Sequence, residues 1–391
     1  MISQFVDEIL YPWVKNRYTP DARWKDKPFS AKDVAFFSRG ITELSEYFTT
    51  ERPSRINDYL NHAKFRSSYL LYFLPLGIQK FDTVFAQYPG AFKTVLDGAA
   101  SQDGILRVVD LGSGPGTASL AFLIHLLSRY KNRIPKKIEF YWLDLSFSMM
   151  KDGEQVLRAY VDQCVREKHA PGLEVTVHLT PGEWVRNTQR LPQADLVLMG
   201  QVLNEGKSSQ DLESAARAIH QLKSRNRGGG VLLVEPAARV SSQFLSALRD
   251  NLIQKDPRTG IWGPCLHSGA CPLLNGRDWC HFSVPVKPES VGKWFVQISK
   301  SLGSPREWSK YSYLWLSAPG VEVPKAPEDA RLVISDPLGT SQGPQVLLCE
   351  PSQVRRYPLV GQKKLLRGER IRLAPLREPA AVKAGSKRRK R

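Results

Sequence analysis

Between Leu106 and Glu235 the chain alternates short apolar runs with longer segments of helical spacing. Leu106 to Leu111, Ile138 to Leu143, Leu173 to Leu179, Asp195 to Met199 and Val231 to Glu235 have the length and aliphatic content of buried strands, and the stretches between them place apolar residues three and four apart. Strand, helix, strand at this rhythm buries a mostly parallel sheet beneath helices, so an α/β fold follows. The ends read differently. Met1 to about Phe92 is helical in pattern, with Val34, Phe37, Ile41, Leu44 and Phe48 at helical spacing and Ser30 and Asp33 marking a helix start. A polar break from Asp97 to Gly104 ends it. Lys255 to Pro285 is rich in Gly, Pro and Cys and has no periodicity, whereas Tyr311 to Leu316, Leu332 to Ser335, Val346 to Cys349 and Arg370 to Ala374 read as further strands.

The run Val108-Val109-Asp110-Leu111-Gly112-Ser113-Gly114-Pro115-Gly116-Thr117 stands where the first strand must turn into a helix. Glycines there permit backbone angles closed to side chains, and the helix start offers free N–H groups. Gly112 and Gly114 fit a dinucleotide fingerprint, but Thr117 stands where its third Gly or Ala belongs, and the absence of a Gly-Lys-Ser/Thr ending excludes a phosphate-cradling P-loop. The Asp-Leu-Gly-x-Gly-x-Gly form resembles motif I of class I S-adenosylmethionine (SAM) dependent methyltransferases. That resemblance implies a cofactor site at Asp110, Gly112, Ser113, Gly114 and Gly116, facing the methionine part of SAM. Asp144, closing the second strand, can accept both ribose hydroxyls, and Glu183 after the third strand stands where the family places an acid near the adenine amine. The alternatives are a tight turn with no ligand, or another small ligand. No catalytic residue is assigned: the loop Gly200 to Glu205 lacks the Asp/Asn-Pro-Pro-Tyr/Phe of amine methyltransferases, and Asn204 and Glu205 suit helix capping better than substrate orientation. Pro264-Cys265 suggests the nucleophile of cytosine C5 enzymes, but the loop after the fourth strand has no second cysteine.

Five cysteines are too few, and odd in number, for a disulfide scaffold, yet four follow Pro264. Cys265, Cys271 and Cys280 lie in a turn-rich segment and Cys349 ends a later strand. Thiolates on irregular backbone suit Zn²⁺ or a [4Fe-4S] cluster, and the spacing does not choose between them. His267 and His281 could replace a sulfur or support one; the plain alternative is four unrelated buried cysteines, as Cys164 reads to be. Pro-Cys-x-His, Cys-Pro and Trp-Cys-His-Phe, followed by Tyr-Ser-Tyr-Leu and a late Leu-Cys, resemble the methyltransferase-like family of small-ribosomal-subunit assembly factors of mitochondria and bacteria. The stretches 48–52 and 68–75 are similar to that family too, so the likeness covers about residues 35–375. It departs at Leu266, where members often have Pro. The resemblance implies a [4Fe-4S] cluster on Cys265, Cys271, Cys280 and Cys349, with zinc as the alternative metal, and binding to 16S-type rRNA in the small ribosomal subunit.

Charge agrees with a polyanionic partner. The net +18 is concentrated: residues 352–391 hold fourteen Lys/Arg and two Asp/Glu, or +12, leaving +6 for the rest. Arg355, Arg356, Lys363, Lys364, Arg367 and Arg370 are the candidate RNA contacts, with Tyr357 able to stack on a base. The best apolar stretch, Ser68 to Gln79, is too short to span a membrane and contains Pro75. Asp7 and Glu8 make the N-terminus unlike a transit peptide or secretory signal. The expected units are 1–96 helical, 97–254 a SAM-binding Rossmann-like domain, 255–325 the Cys-rich segment with closing strands, 326–376 a small basic β-rich unit and 377–391 a basic tail. The expected protein is an assembly factor, monomeric off the ribosome, located in the cytoplasm of a bacterium or the mitochondrial matrix of a eukaryote. An active rRNA methyltransferase and a cluster-dependent redox or metal-sensing RNA switch are the alternatives.

Overall fold

The computed structural model describes residues 1–373 without 20, 26, 50–59, 204–207, 275, 304, 342 and 360–364. Five strands run parallel in the order β3 (Glu174–Pro181), β2 (Lys137–Asp144), β1 (Ile105–Leu111), β4 (Leu196–Gly200) and β5 (Val231–Pro236). β8 (Trp308–Leu316) continues the sheet antiparallel to β5, and β6 (Ile261–Gly263) and β7 (Phe282–Pro285) pair with β8. The apolar runs became strands because both faces of this sheet are covered. One face packs against helices Leu74–Gln87, Pro89–Ala100 and Thr117–Arg129, with Phe85, Phe92, Phe122 and Trp315 buried together. The other packs against helices Ser209–Ser224 and Arg239–Lys255 through Ile219, Leu222, Leu245 and Leu248. Burial of such side chains contributes roughly 1.5–3 kcal/mol each.

The segment 97–104 is not wholly a break. Helix Pro89–Ala100 runs through Asp97 because Gly98 lets it approach the turn at Arg227, where a Cβ would sit 2.9 Å from the Arg227 carbonyl oxygen. Nor is 255–285 wholly irregular: β6 and β7 owe their existence to β8, a distant partner that local periodicity cannot reveal. The stretch Ser68 to Gln79 is helical and buried within the protein, and no helix among the described residues is long and apolar enough to cross a membrane.

The N-terminal helices close over the sheet. Phe5 packs edge-on against Tyr160 of helix Phe147–Arg166, and the Asp7 carboxylate accepts hydrogen bonds from the backbone N–H groups of Lys293 (2.9 Å) and Trp294 (3.3 Å). Asp7 thus caps helix Lys293–Ser301 from far away in sequence. The C-terminal strands form a second, antiparallel sheet. β11 (Gly343–Cys349) pairs with β12 (Val354–Pro358) on one edge and with β10 (Leu338–Thr340) and β9 (Ala330–Val333) on the other, and β13 (Arg370–Arg372) pairs with β9. Its own small core is Val333, Val346, Leu348 and Leu359.

Candidate functional site

Strand order reverses between β1 and β4, so the helices that follow them diverge and leave a crevice at the strands' carboxyl ends, where open α/β sheets bind ligands. A cleft of about 1330 Å³ lies there, and Gly112, Gly114, Asp144, Glu183 and Gln201 line it. The glycine turn is shaped by what crowds it. Gly112 has φ +60° and a Cβ there would come within 2.2 Å of Val202; Gly116 has φ +71° and a Cβ would come within 2.0 Å of the Trp142 ring. Only glycine meets both conditions at these two positions.

Asp144 Oδ1 accepts from the Ser146 N–H (2.7 Å) and Oδ2 from the Gly114 N–H (2.9 Å). Each oxygen keeps a lone pair for a further donor such as a ribose hydroxyl. Burial raises its carboxyl above the usual carboxylate value while these N–H groups pull it back. Glu183 is exposed at the rim and pairs with Arg186 at 3.0 Å. Asp110, Ser113 and Gly116 do not line the cleft. Asp110 lies beneath the turn, 1% exposed, where Oδ2 accepts from the Ser119 N–H (3.0 Å) and Oγ–H (2.7 Å). Burial pushes its carboxyl up to about 7. Asp110 therefore braces the turn from below, a role that proximity in sequence to the glycines does not distinguish from ligand contact.

The loop after β4 is held from the next strand. Glu235 is fully buried, and its Oε1 accepts from the N–H groups of Val202 (3.1 Å) and Leu203 (3.2 Å). Gln201 faces the cleft with φ +60°, a strained angle for a residue with a side chain. Asn204 and Glu205 lie outside the described residues.

A second, smaller cavity is lined by Cys265, Cys271, Cys280, Cys349, His267 and Arg249. Three of the cysteines come from the loop between β6 and β7, and the fourth ends β11 of the C-terminal sheet. None is disulfide-bonded. Helix Arg239–Lys255 holds the loop: Arg249 donates to the carbonyls of His267 (2.6 Å) and Gly269 (2.8 Å), and Asp250 accepts from the Cys271 N–H (2.8 Å). Burial pushes the Cys265 and Cys280 thiols up, and burial with the neighbouring sulfurs pushes Cys349 up to about 12. Among the described residues no three His, Cys, Asp or Glu side chains close on a point as ligands of a single ion. Cys164 is buried in the core, away from this cavity.

The basic residues of the C-terminal sheet divide. Arg370 donates to Tyr88 Oη (2.7 Å) and lies over its ring at 5.0 Å, and Arg367 donates to the Ile334 carbonyl and pairs with Asp336 at 3.5 Å. Arg370 joins the C-terminal sheet to the helical region through Tyr88, and Arg367, also 3.5 Å from the His281 carbonyl oxygen, joins it to the Cys-rich segment. Arg355 pairs with Glu350 at 3.1 Å, and Arg356 is exposed. Lys363, Lys364 and the tail 377–391 lie outside the described residues. Sequence reasoning missed Lys80, Arg306, Trp308 and Lys310, which also line the cleft.

Among solved structures, the chain is similar to magnesium protoporphyrin IX methyltransferase from Synechocystis with bound SAM (14% identity, 71% of this chain and 97% of that one, TM-score 0.30). It is similar also to the plantazolicin methyltransferase in complex with SAH (9%, 73% and 98%, TM-score 0.34). A third is human N-acetylserotonin methyltransferase in complex with SAM (13%, 74% and 66%, TM-score 0.29). No curated protein matches the chain significantly. The sequence model of the mitochondrial small ribosomal subunit family Rsm22 matches residues 91–372, which takes in the whole parallel sheet, the four-cysteine cavity and the C-terminal sheet. On a match of that extent, this chain belongs to the Rsm22 family.

Proposed function

We propose that the protein is a small-ribosomal-subunit assembly factor that binds 16S-type rRNA, with SAM in the cleft and a [4Fe-4S] cluster on Cys265, Cys271, Cys280 and Cys349. The observation that carries this reading is the convergence of those four cysteines, three from the β6–β7 loop and one from β11, on one cavity. The donor set fits such a group: four thiols without a disulfide partner face one cavity, and burial raises those of Cys265, Cys280 and Cys349, so they stay protonated until a soft cationic centre displaces the protons. When bound, the cluster supplies a covalent link between the C-terminal sheet and the parallel sheet, and it would hold Arg356 and Tyr357 in a fixed relation to the cleft. Zinc remains the alternative occupant. The SAM reading rests on Gly112, Gly114 and Asp144 at the cleft wall. Family membership supports the ribosomal partner and, in a eukaryote, the mitochondrial matrix.

A second reading, an active rRNA methyltransferase, is favoured by the size of the cleft, which exceeds the roughly 300–1,000 Å³ of ordinary ligand sites and leaves room beside a cofactor. Protein purified without oxygen is the test: iron and acid-labile sulfide in near-equal amounts, saturable SAM binding, and cosedimentation with small subunits are expected. One equivalent of zinc without sulfide would replace the cluster, and failure to cosediment would reject the ribosomal role. Methyl incorporation into small-subunit rRNA separates the second reading from the first.

A further inference from the structure

One wall of the cleft has a composition that the cofactor does not require. In an extended chain alternate side chains share a face, and Arg306, Trp308 and Lys310 all line the cleft, whereas Ser309 and Tyr311 between and beyond them are buried. Trp308 is 50% exposed, an unusual setting for so large an apolar ring. Lys80, from helix Leu74–Gln87, reaches the same wall. Among the described residues Lys80, Arg306 and Lys310 have no carboxylate ion pair, and the Arg306 guanidinium lies over the Tyr72 ring at 5.7 Å. Burial, and then the charge of Arg306, lower the Lys80 ammonium to about 8, while the buried Glu235 carboxylate pulls the other way.

SAM carries one carboxylate against a sulfonium and an ammonium, so it can engage one of these cations but not complement all three. Asp144 and Glu183, the acids read as its partners, also line the cleft. An anion joined to a flat ring is the chemistry that complements the cationic wall. We propose that Arg306, Trp308, Lys310 and Lys80 form a subsite for an unpaired nucleotide of single-stranded RNA, its base stacked on Trp308 and its flanking phosphates held by the three cations. Strand geometry sets Lys310 about 6.7 Å along the chain from Trp308, and Arg306 precedes the strand on the other side, the arrangement of a stacking platform in a basic groove. Duplex RNA keeps its bases paired and cannot stack one on this ring. The inference rests on the RNA-binding reading above and assigns it a ligand class inside the cleft, separate from the C-terminal basic surface.

The test uses the full chain, a fluorescent oligouridine of about twelve nucleotides, a duplex of the same length, and small subunits for cosedimentation. Trp308→Ala is expected to weaken oligouridine binding about tenfold, with Trp308→Phe retaining most of it, since stacking on one base is worth about 1–3 kcal/mol. Arg306→Ala with Lys310→Ala is expected to lower the salt slope of binding by about 1.4, two phosphate contacts at roughly 0.7 each on a single strand. Lys80→Met should lower it by about half as much. An unchanged thermal unfolding midpoint serves as the check that each variant is folded. Unchanged oligouridine affinity in Trp308→Ala and in the double variant, with cosedimentation intact, overturns the subsite and leaves the ribosomal role standing. Equal affinity of the unaltered protein for the duplex also overturns it. Loss of cosedimentation by the unaltered protein, while it still binds oligouridine through Trp308, overturns the ribosomal role and leaves the subsite.

Discussion

Cys349 Sγ lies 3.7 Å from His267 Nε2, so the last residue of β11 meets the loop that follows β6 across the boundary between the two sheets. Removing this sulfur tests the shared cavity directly. Cys349→Ser is expected to lose the iron and sulfide of the proposed cluster and to lower Tm by several degrees, because binding of such a ligand would be coupled to folding there. Cys164→Ser, in the core away from the cavity, is expected to keep both metal and sulfide. Equal metal content in the two variants would remove Cys349 from the ligand set.

Asp144 and Asp110 separate contact from support. Asp144→Ala is expected to weaken SAM binding by about tenfold or more, the loss of charged hydrogen bonds worth roughly 1.5–3 kcal/mol. Asp110→Asn, which can still accept from Ser119, should stay within about threefold of the unaltered protein. Isothermal titration distinguishes the two outcomes, and an equal loss in both would return Asp110 to the cofactor site.

Asp110 also gives stability a pH dependence. Its folded value of about 7 lies above the ordinary carboxylate value of 3.8, so the protonated acid is favoured by folding. That contribution is complete below 3.8 and is lost as pH rises through about 7. Urea unfolding of the unaltered protein relative to Asp110→Asn should therefore show stability falling between about pH 4 and pH 7 and levelling above. A difference that does not vary with pH would show that the carboxyl is not shifted.

Much of this was legible in the chain itself. The five parallel strands could be read because each is a run of apolar residues covered on both faces, and the four cysteines because thiols are scarce elsewhere. β6 and β7 could not, since they are short and exist through pairing with β8. Arg367 and Arg370 read as RNA contacts because charge in a sequence carries no direction; the structure binds the half-buried Arg367 to Ile334 and the exposed Arg370 to Tyr88. The signal for the cleft's cationic wall was present as Arg306-Glu307-Trp308-Ser309-Lys310. Recognising it required knowing which face of that strand borders the cleft.

Gly116 tests the reason for glycine in the turn. Gly116→Ala places a methyl against Trp142 at a positive φ, with an expected loss of about 2–4 kcal/mol in unfolding free energy. Gly104→Ala, also at positive φ but with nothing within 4 Å of the new methyl, should cost only the backbone part, about 1–2 kcal/mol.

Arg370 and Arg356 should part in the same way. Arg370→Ala is expected to leave the C-terminal sheet more open to limited proteolysis, through loss of its bond to Tyr88. Arg356→Ala should leave proteolysis unchanged and reduce the salt slope of RNA binding by about 0.7.

The wall that β11 contributes has a consequence for how the protein is made. Cys265, Cys271 and Cys280 emerge from synthesis before helix Lys293–Ser301 and β8, and Cys349 only after them. A product stopped short of β11 could still assemble β1 to β5, but it would have three of the four sulfurs and no closing strand. With the proposed four-sulfur ligand set, occupancy of that cavity would be a chemical record that translation reached the C-terminal sheet.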